Sequence, residues 1–321
     1  MRRDLSLILL FLLGIAGLIA ADRYYRAQVE REASERLDQA ALDISELLQS
    51  AMKNRATTVR DLQAFMLVSR KIPDSDTFDD FAARLLRNSN EIRALQYVDE
   101  DLVIRYVYPL EGNEEALGLD LHTRQALDYA KRAREERRAV IDEPHRIVQG
   151  PLSSVLRIPL FENDEFKGLV QGVFDIKPLM QQVRQQFSRY TIQVRDSRDA
   201  VFWGPDEIGR LQATQTVPVV DRQWTLAASW RDGQPRPSTF VLTLIWGLGS
   251  ALVLCLLFIV NRIFRHTELL NRAVAEKTEE LTEKNRALRR SEQRYREIFE
   301  STREGIISVN AEGKVITINP A

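Results

Sequence analysis

Tyr106–Leu121 reads YVYPLEGNEEALGLDL, and the organisation of the chain can be worked outward from it. Alternation places Tyr106 and Tyr108 on one face of a strand and Arg105 and Val107 on the other. Pro109, which has no N–H to donate to a ladder, ends the strand. Gly112-Asn113 permits a tight turn or positive φ, and Gly118 permits close backbone approach. Asp120 then offers a hydrogen-bond acceptor or a helix cap. A short strand running into a glycine-punctuated loop suits the lip of a pocket. The ligand-contact candidates are therefore Arg105, Tyr106, Tyr108, Asn113 and Asp120, joined by Gln149 in the Gln149-Gly150 loop. Arg157, paired with Tyr97 or Asp120 across the sheet, completes the set. A tyrosine in such a strand serves a core as readily as a ligand, and Asp120 serves equally to cap a helix from Thr123.

On either side the pattern alternates between strands and amphipathic helices. Ala94–Val98 and Leu102–Tyr108 flank the acidic turn Asp99-Glu100-Asp101 and form a hairpin. A helix is expected from Thr123 to Arg138, then strands at Arg146–Gln149, Val155–Phe161 and Phe166–Ile176. Asn163-Asp164 turns between the last two, and Pro178 opens a short helix. Four further strands follow at Thr191–Arg195, Ala200–Trp203, Leu211–Val219 and Trp224–Trp230. Strands joined by short turns and broken by one or two helices indicate antiparallel α+β sheets rather than a parallel doubly wound one. Upstream, Ser75 opens a helix bearing Phe78, Phe81, Leu85 and Leu86. Before it, Asp22–Ser69 reads as one helix, with Leu37, Ala41, Ile44, Leu48 and Met52 at three- and four-residue spacing. That length exceeds what one small domain packs, so a dimerising stalk is the economical reading.

Further out lie two apolar runs. Leu5–Ala21 has 17 residues without a charge and Phe240–Val260 has 21, the latter about 31 Å of helix at ~1.5 Å per residue. A signal peptide is the competing reading of the first, but the run is long for a signal core and ends in a poor cleavage site. Arg262 and Arg265 follow the second, as on a cytoplasmic side. Gly247 and Ala251 make a small pair that permits close helix approach. The chain has 45 basic and 46 acidic residues, and that balance argues against a nucleic-acid partner. Cys255, the single cysteine, excludes an internal disulfide.

The segment Tyr106–Leu121 resembles the hallmark of CHASE sensory domains, extracellular parts of histidine kinases, cyclases and related receptors. So does VQGPLSSVLRIPLFENDEFKGLVQGVFDIKPLM, Val148–Met180. The resemblance covers roughly Phe78–Trp230 and departs at Pro151, where a second glycine is expected after Gly150. It implies a long N-terminal helix, a membrane-distal PAS-like module that binds a small molecule, and a membrane-proximal PAS-like module. Arg294–Ala321, RYREIFESTREGIISVNAEGKVITINPA, resembles the opening of a PAS domain.

Between them, Val274, Leu281, Leu288 and Tyr295 recur every seven residues, with polar Asn271, Thr278, Asn285 and Glu292 at the companion positions. That is the pattern of a register-specific, marginal coiled coil.

The expected fold is thus α+β: transmembrane helix (1–21), stalk helix (22–74), two stacked PAS-like antiparallel sheet modules (75–187 and 188–238), second transmembrane helix (239–262), cytoplasmic coiled coil (263–293) and a truncated PAS domain (294–321). His122, His145 and His266 lack metal-ligand spacing. His266-Thr267-Glu268-Leu269 is superficially similar to a phosphoacceptor helix, but lies a turn from the membrane with no nucleotide-binding domain behind it. No catalytic motif is present and no motif specifies a cofactor. The function expected is a two-pass receptor of a bacterial inner membrane with both termini cytoplasmic. Its expected partners are a periplasmic small molecule, the lipid bilayer and a second copy of itself, and its output domain a histidine kinase or cyclic-di-GMP enzyme. A membrane-anchored periplasmic enzyme and a structural dimerisation tether are the alternatives.

Overall fold

Helix α1 (Arg2–Val68) is a single run of 67 residues, continuous from the first apolar run through the expected stalk. Beyond Gly17 it contains neither Gly nor Pro, so nothing interrupts its hydrogen-bond ladder. The structure, a computed structural model, describes residues 2–69, 72–87, 91–123, 126–147, 150–301, 304–305 and 307–318. It divides into two compact units, Arg26–Arg236 and Met1–Tyr25 with Pro237–Ala321.

In the first unit α2 (Ser75–Leu86) begins where the Asp74 carboxylate accepts the Thr77 N–H at 2.9 Å, satisfying one of the orphan donors of a helix start. A distal antiparallel sheet is then built from β1 (Ala94–Val98), β2 (Ile104–Tyr108), β3 (Val140–Ile141), β4 (His145–Arg146), β5 (Leu152–Glu162) and β6 (Glu165–Asp175). Its order is β2-β1-β6-β5-β3, with β4 also paired to β5. Helix α3 (Ala126–Glu136) covers its outer face. After α4 (Ile176–Gln186) comes a second antiparallel sheet of β7 (Tyr190–Arg195), β8 (Val201–Trp203), β9 (Gln212–Val219) and β10 (Arg222–Trp230), ordered β8-β7-β10-β9.

Both faces of the distal sheet are covered. On the inner face Leu95, Tyr97, Leu156, Ile158, Val170 and Phe174 pack with Ile44, Leu48, Met52, Val59 and Leu62 of α1. On the outer face Ala94, Val98, Val107, Val155, Leu169 and Val173 pack with Leu121 and with Ala130 and Ala133 of α3. This two-sided burial explains why β1 is buried at all five positions, where a sheet with one wet face would alternate. Each large side chain so buried contributes about 1.5–3 kcal/mol. Gly172 sits where a Cβ would lie 2.4 Å from Val59 Cγ2, so the α1–β6 approach requires a residue without a side chain. Arg55, on the same helix and 2% exposed, is paired with Glu91 at 3.1 Å. Burial lowers its pKa and Glu91 opposes the shift.

The expected strands are present with boundaries that agree or move by up to three residues; β3 (Val140–Ile141) is not among those expected, and the expected strand Arg146–Gln149 is seen as His145–Arg146, with 148–149 outside the described residues. The Asn163-Asp164 turn has φ of 48° and 67°, the two positive values of the hairpin turn whose twist matches its strands. Three expectations change. Leu121–Thr123 forms a 3₁₀ turn, so Thr123 does not open α3, because Asp120 accepts the His122 N–H in a tight turn rather than capping a helix. Helix α4 starts two residues before Pro178; first-turn N–H groups have no intrahelical acceptor, so a proline there costs no bond. Gly118 has φ +77° with nothing within 4 Å of its Cβ position, so it supplies a backbone conformation and not a close approach.

In the second unit α5 (Thr239–Ser301) carries the second apolar run, and both α1 and α5 are long and apolar enough to cross a membrane. Cβ atoms at Gly14 and Gly249 would meet Val253 and Leu18 at 2.7 and 2.1 Å, so the two helices touch at these glycines. Gly247, half of the expected small pair, faces open space. The Trp246 indole donates to Asp22 at 3.4 Å. Val274, Leu281, Leu288 and Tyr295 are exposed along α5. A hairpin of β11 (Ile307–Val309) and β12 (Val315–Ile318) ends the described chain.

Candidate functional site

A row of polar side chains crosses the outer face of the distal sheet. Arg157 on β5 is the register partner of Gln171 on β6, and Gln171 that of Gln96 on β1. The neighbouring row, Val155, Val173 and Ala94, is apolar. Alternation puts all six on one face, yet the three polar residues are only 2–3% exposed. They line a cavity of about 270 Å³. Ile104, Ala116, Leu119, Leu121 and Ala126 make its apolar walls, while His145, Arg146 and Ile147 line the side formed by β4.

Arg157 is held from beneath. Its Nη1 donates to Asp142 at 3.1 Å, and both side chains are nearly inaccessible. Asp142 Oδ1 also accepts the Val155 N–H at 2.5 Å, so this buried carboxylate has its hydrogen bonds as well as its counter-charge, the condition under which a buried pair is tolerated. The Tyr129 ring of α3 lies 5.8 Å from the guanidinium carbon, within cation–π range. Two donors remain without a protein acceptor: Arg157 Nε and Gln171 Nε2. A buried N–H left unpaired costs about 1–3 kcal/mol, so a group that supplies an acceptor here recovers that amount.

The segment carrying Asp142 also touches the second sheet. Glu143 accepts from the Ser197 hydroxyl and lies 3.4 Å from Arg222. The Ile141 N–H donates to Asp221 at 2.8 Å, and Arg132 of α3 pairs with the same aspartate. Adjacent carboxylates thus serve the cavity floor and the lower sheet.

Of the residues singled out in the sequence, Arg157 lines the cavity. Its partner is Asp142, neither Tyr97 nor Asp120, because Tyr97 points to the opposite face. There the Tyr97 hydroxyl donates to the Lys167 carbonyl at 2.8 Å; burial first, then Asp99, drives its pKa up, so it remains a donor. Tyr106 packs on the same inner face, 5.4 Å from both Phe78 and Tyr97, and Tyr108 joins that core. Arg105 is exposed and bridges to Asp99. Asn113 is buried as a loop brace, accepting from Arg93 at 3.0 Å and donating to the Pro109 carbonyl at 3.0 Å. Asp120 accepts the His122 N–H at 2.8 Å, which holds its carboxyl below the usual range. Gln149 lies outside the described residues. Gln96, Gln171, His145 and Arg146 line the cavity without having been singled out; the available signal was a glutamine inside each of the apolar runs ALQYV and LVQGV. Among the described residues no three His, Cys, Asp or Glu side chains cluster as a metal site would require.

Comparison with known proteins bears on the fold that carries this cavity. Residues 99–202, about a third of the chain, match the family model of the CHASE domain. No curated protein sequence matches the chain. Among solved structures, an extracellular ligand binding receptor from Desulfohalobium retbaense is similar at a TM-score of 0.53 and 13% identity, over 61% of this chain and 40% of that one. The ligand-binding domain of the Pseudomonas fluorescens chemoreceptor CtaA, in complex with L-isoleucine, gives 0.51 at 11% identity, over 64% of this chain and 96% of that chain. That of the Pseudomonas aeruginosa amino acid chemoreceptor PctB, in complex with L-Arg, gives 0.50 at 11%, over 63% and 97%. At these identities the likeness is one of fold.

Proposed function

We propose that the CHASE domain at residues 99–202 makes this chain an extracytoplasmic small-molecule sensor, with its ligand seated over Gln96, Arg157 and Gln171. The carrying observation is the pair of unpartnered buried donors on cavity-lining residues, Arg157 Nε and Gln171 Nε2, because buried polar groups are normally paired. The likeness in fold to receptor domains solved with small ligands supports this reading. Of the sequence candidates, Arg157 is carried forward as a ligand contact, while Tyr97, Tyr106, Tyr108, Asn113, Asp120 and Arg105 shape the sheet and its loop.

In this reading the two long apolar helices fix the chain as a two-pass protein of a bacterial inner membrane, with both termini cytoplasmic and the domain boundaries as read from the sequence. The two antiparallel sheets are the PAS-like modules of that division. Ligand pulls on Arg157, Asp142 follows, and Glu143 passes the displacement to Arg222 and the lower sheet. The second span carries it to a homodimeric coiled coil at 263–293, a PAS domain from 294 onward, and a histidine kinase or cyclic-di-GMP output. The ligand biases this relay only by its differential affinity for two states.

The test is a thermal-shift screen of small metabolites at millimolar concentration, on the full chain in detergent micelles. A ligand at about 100 times its Kd adds about 2.7 kcal/mol of stability. The reading requires a hit that Gln171→Leu abolishes while the variant melts as a folded protein. A broad library that leaves the melting temperature unmoved sinks it.

A further inference from the structure

The charged inventory of the cavity is one-sided. Its two unpartnered buried atoms are both N–H donors, and Arg146 adds a guanidinium where β4 lines it, while the neighbouring His145 turns Nδ1 to the Glu143 carbonyl at 2.9 Å. Among the described lining residues there is no carboxylate. The nearest carboxylate behind the wall, Asp142, is already occupied by the Val155 N–H and Arg157 Nη1.

From this asymmetry we infer that the cavity selects a compact organic anion, a carboxylate on a short-chain or single-ring apolar body, over zwitterions and cations. The inference rests on the cavity being the ligand site. A ligand carboxylate supplies the acceptors that Arg157 Nε and Gln171 Nε2 lack, through charge-assisted hydrogen bonds that are about twice as strong as neutral ones. Its apolar body lies against Ile104, Leu119, Leu121, Val155 and Val173. An ammonium group there meets amide oxygens but no free anion, and a charge desolvated without a partner is strongly disfavoured. The cavity of about 270 Å³ lies at the small end of ligand pockets, which run from roughly 300 to 1,000 Å³, and this sets the compact size.

The experiment uses the full chain in micelles and two matched series read by calorimetry and melting temperature: isocaproate, isocaproamide, L-leucine and isoamylamine; benzoate, benzamide, phenylglycine and benzylamine. Within at least one series the carboxylate should bind about tenfold or more tightly than its amide, the scale of one charge-assisted hydrogen bond, and the amine should not bind. Gln171→Glu, nearly identical in size, places a carboxylate beside Arg157 Nε. It should leave the fold intact and weaken the anion at least about tenfold. A zwitterion or amine that binds best, and loses affinity in Gln171→Leu, overturns the anion preference while leaving the cavity as the site. A carboxylate whose affinity ignores Gln171→Glu binds elsewhere and overturns it too. Silence from both series and from the metabolite library removes the inference and the sensor reading together.

Discussion

Leu156 and Arg157 are neighbours in the chain and opposites in the fold. Leu156 points inward to α1 and Phe174, in a face tight enough that Gly172 has no room for a Cβ. Arg157 points outward into a row of buried polar groups with unpartnered donors beside a cavity. The two faces share every strand, so they share backbone geometry and differ only in what covers them. A continuous helix covers much of the inner face and packs closely enough to exclude a Cβ at Gly172. The outer face is covered by α3 and by loops that do not fill it. In the function proposed above, one sheet carries apolar packing against α1 on one side and the ligand site on the other, as expected where recognition needs incompletely satisfied groups.

The difference can be broken experimentally. Arg157→Met leaves Asp142 buried without its counter-charge and should cost about 3–5 kcal/mol, read as a fall in melting temperature of about 2–4 °C per kcal/mol for a unit of this size. Adding Asp142→Asn, which keeps an acceptor for the Val155 N–H, should recover most of that loss. If the double variant is no more stable than the single one, the cavity floor is not organised around the pair. Leu156→Ala, one residue away, should cost about 2–5 kcal/mol by loss of burial plus a cavity, with ligand affinity of the folded fraction unchanged; a change in affinity would show the faces to be coupled.

Smaller effects sharpen the contrast. Asp74 and Asp120 sit below the usual carboxylate range because the N–H groups of Thr77 and His122 donate to their charged forms. A depressed folded-state value means stabilisation that is fully present above the unfolded aspartate value of about 3.9 and is lost as pH falls through the folded one. Asp74→Asn keeps the cap but removes the titration, so its melting temperature should fall less steeply below about pH 4 than that of the parent. Gln171→Leu should change stability least, by about zero or a slight gain, since it removes a buried donor that had no partner. A large loss there would mean that Gln171 is satisfied by the fold and is not held ready for a ligand.

Much of this was legible in the sequence because it is local. Uninterrupted apolar periodicity determined the part of α1 beyond Ala21, and charge-free apolar runs the membrane-length stretches of α1 and α5; Asn163-Asp164 determined the β5–β6 turn; the segment Tyr106–Leu121 carried the resemblance to CHASE domains. The site was less legible. Tyr106 and Tyr108 are ligand-contact candidates because their strand runs into a glycine-punctuated loop, and Tyr97 as a partner for Arg157, but a strand pattern tells only that residues alternate, not which face meets a cavity. That is decided by which element lies over each face, here α1 from more than a hundred residues upstream of β6 and α3 from the intervening loop. The row Gln96, Gln171 and Arg157 likewise exists only once three strands distant in sequence come into register. The sequence by itself determined the elements and their order, through short-range sterics and hydrophobic period. Only the tertiary structure decided which buried polar groups share one space, because their proximity is a property of strand pairing and coverage and of no single segment.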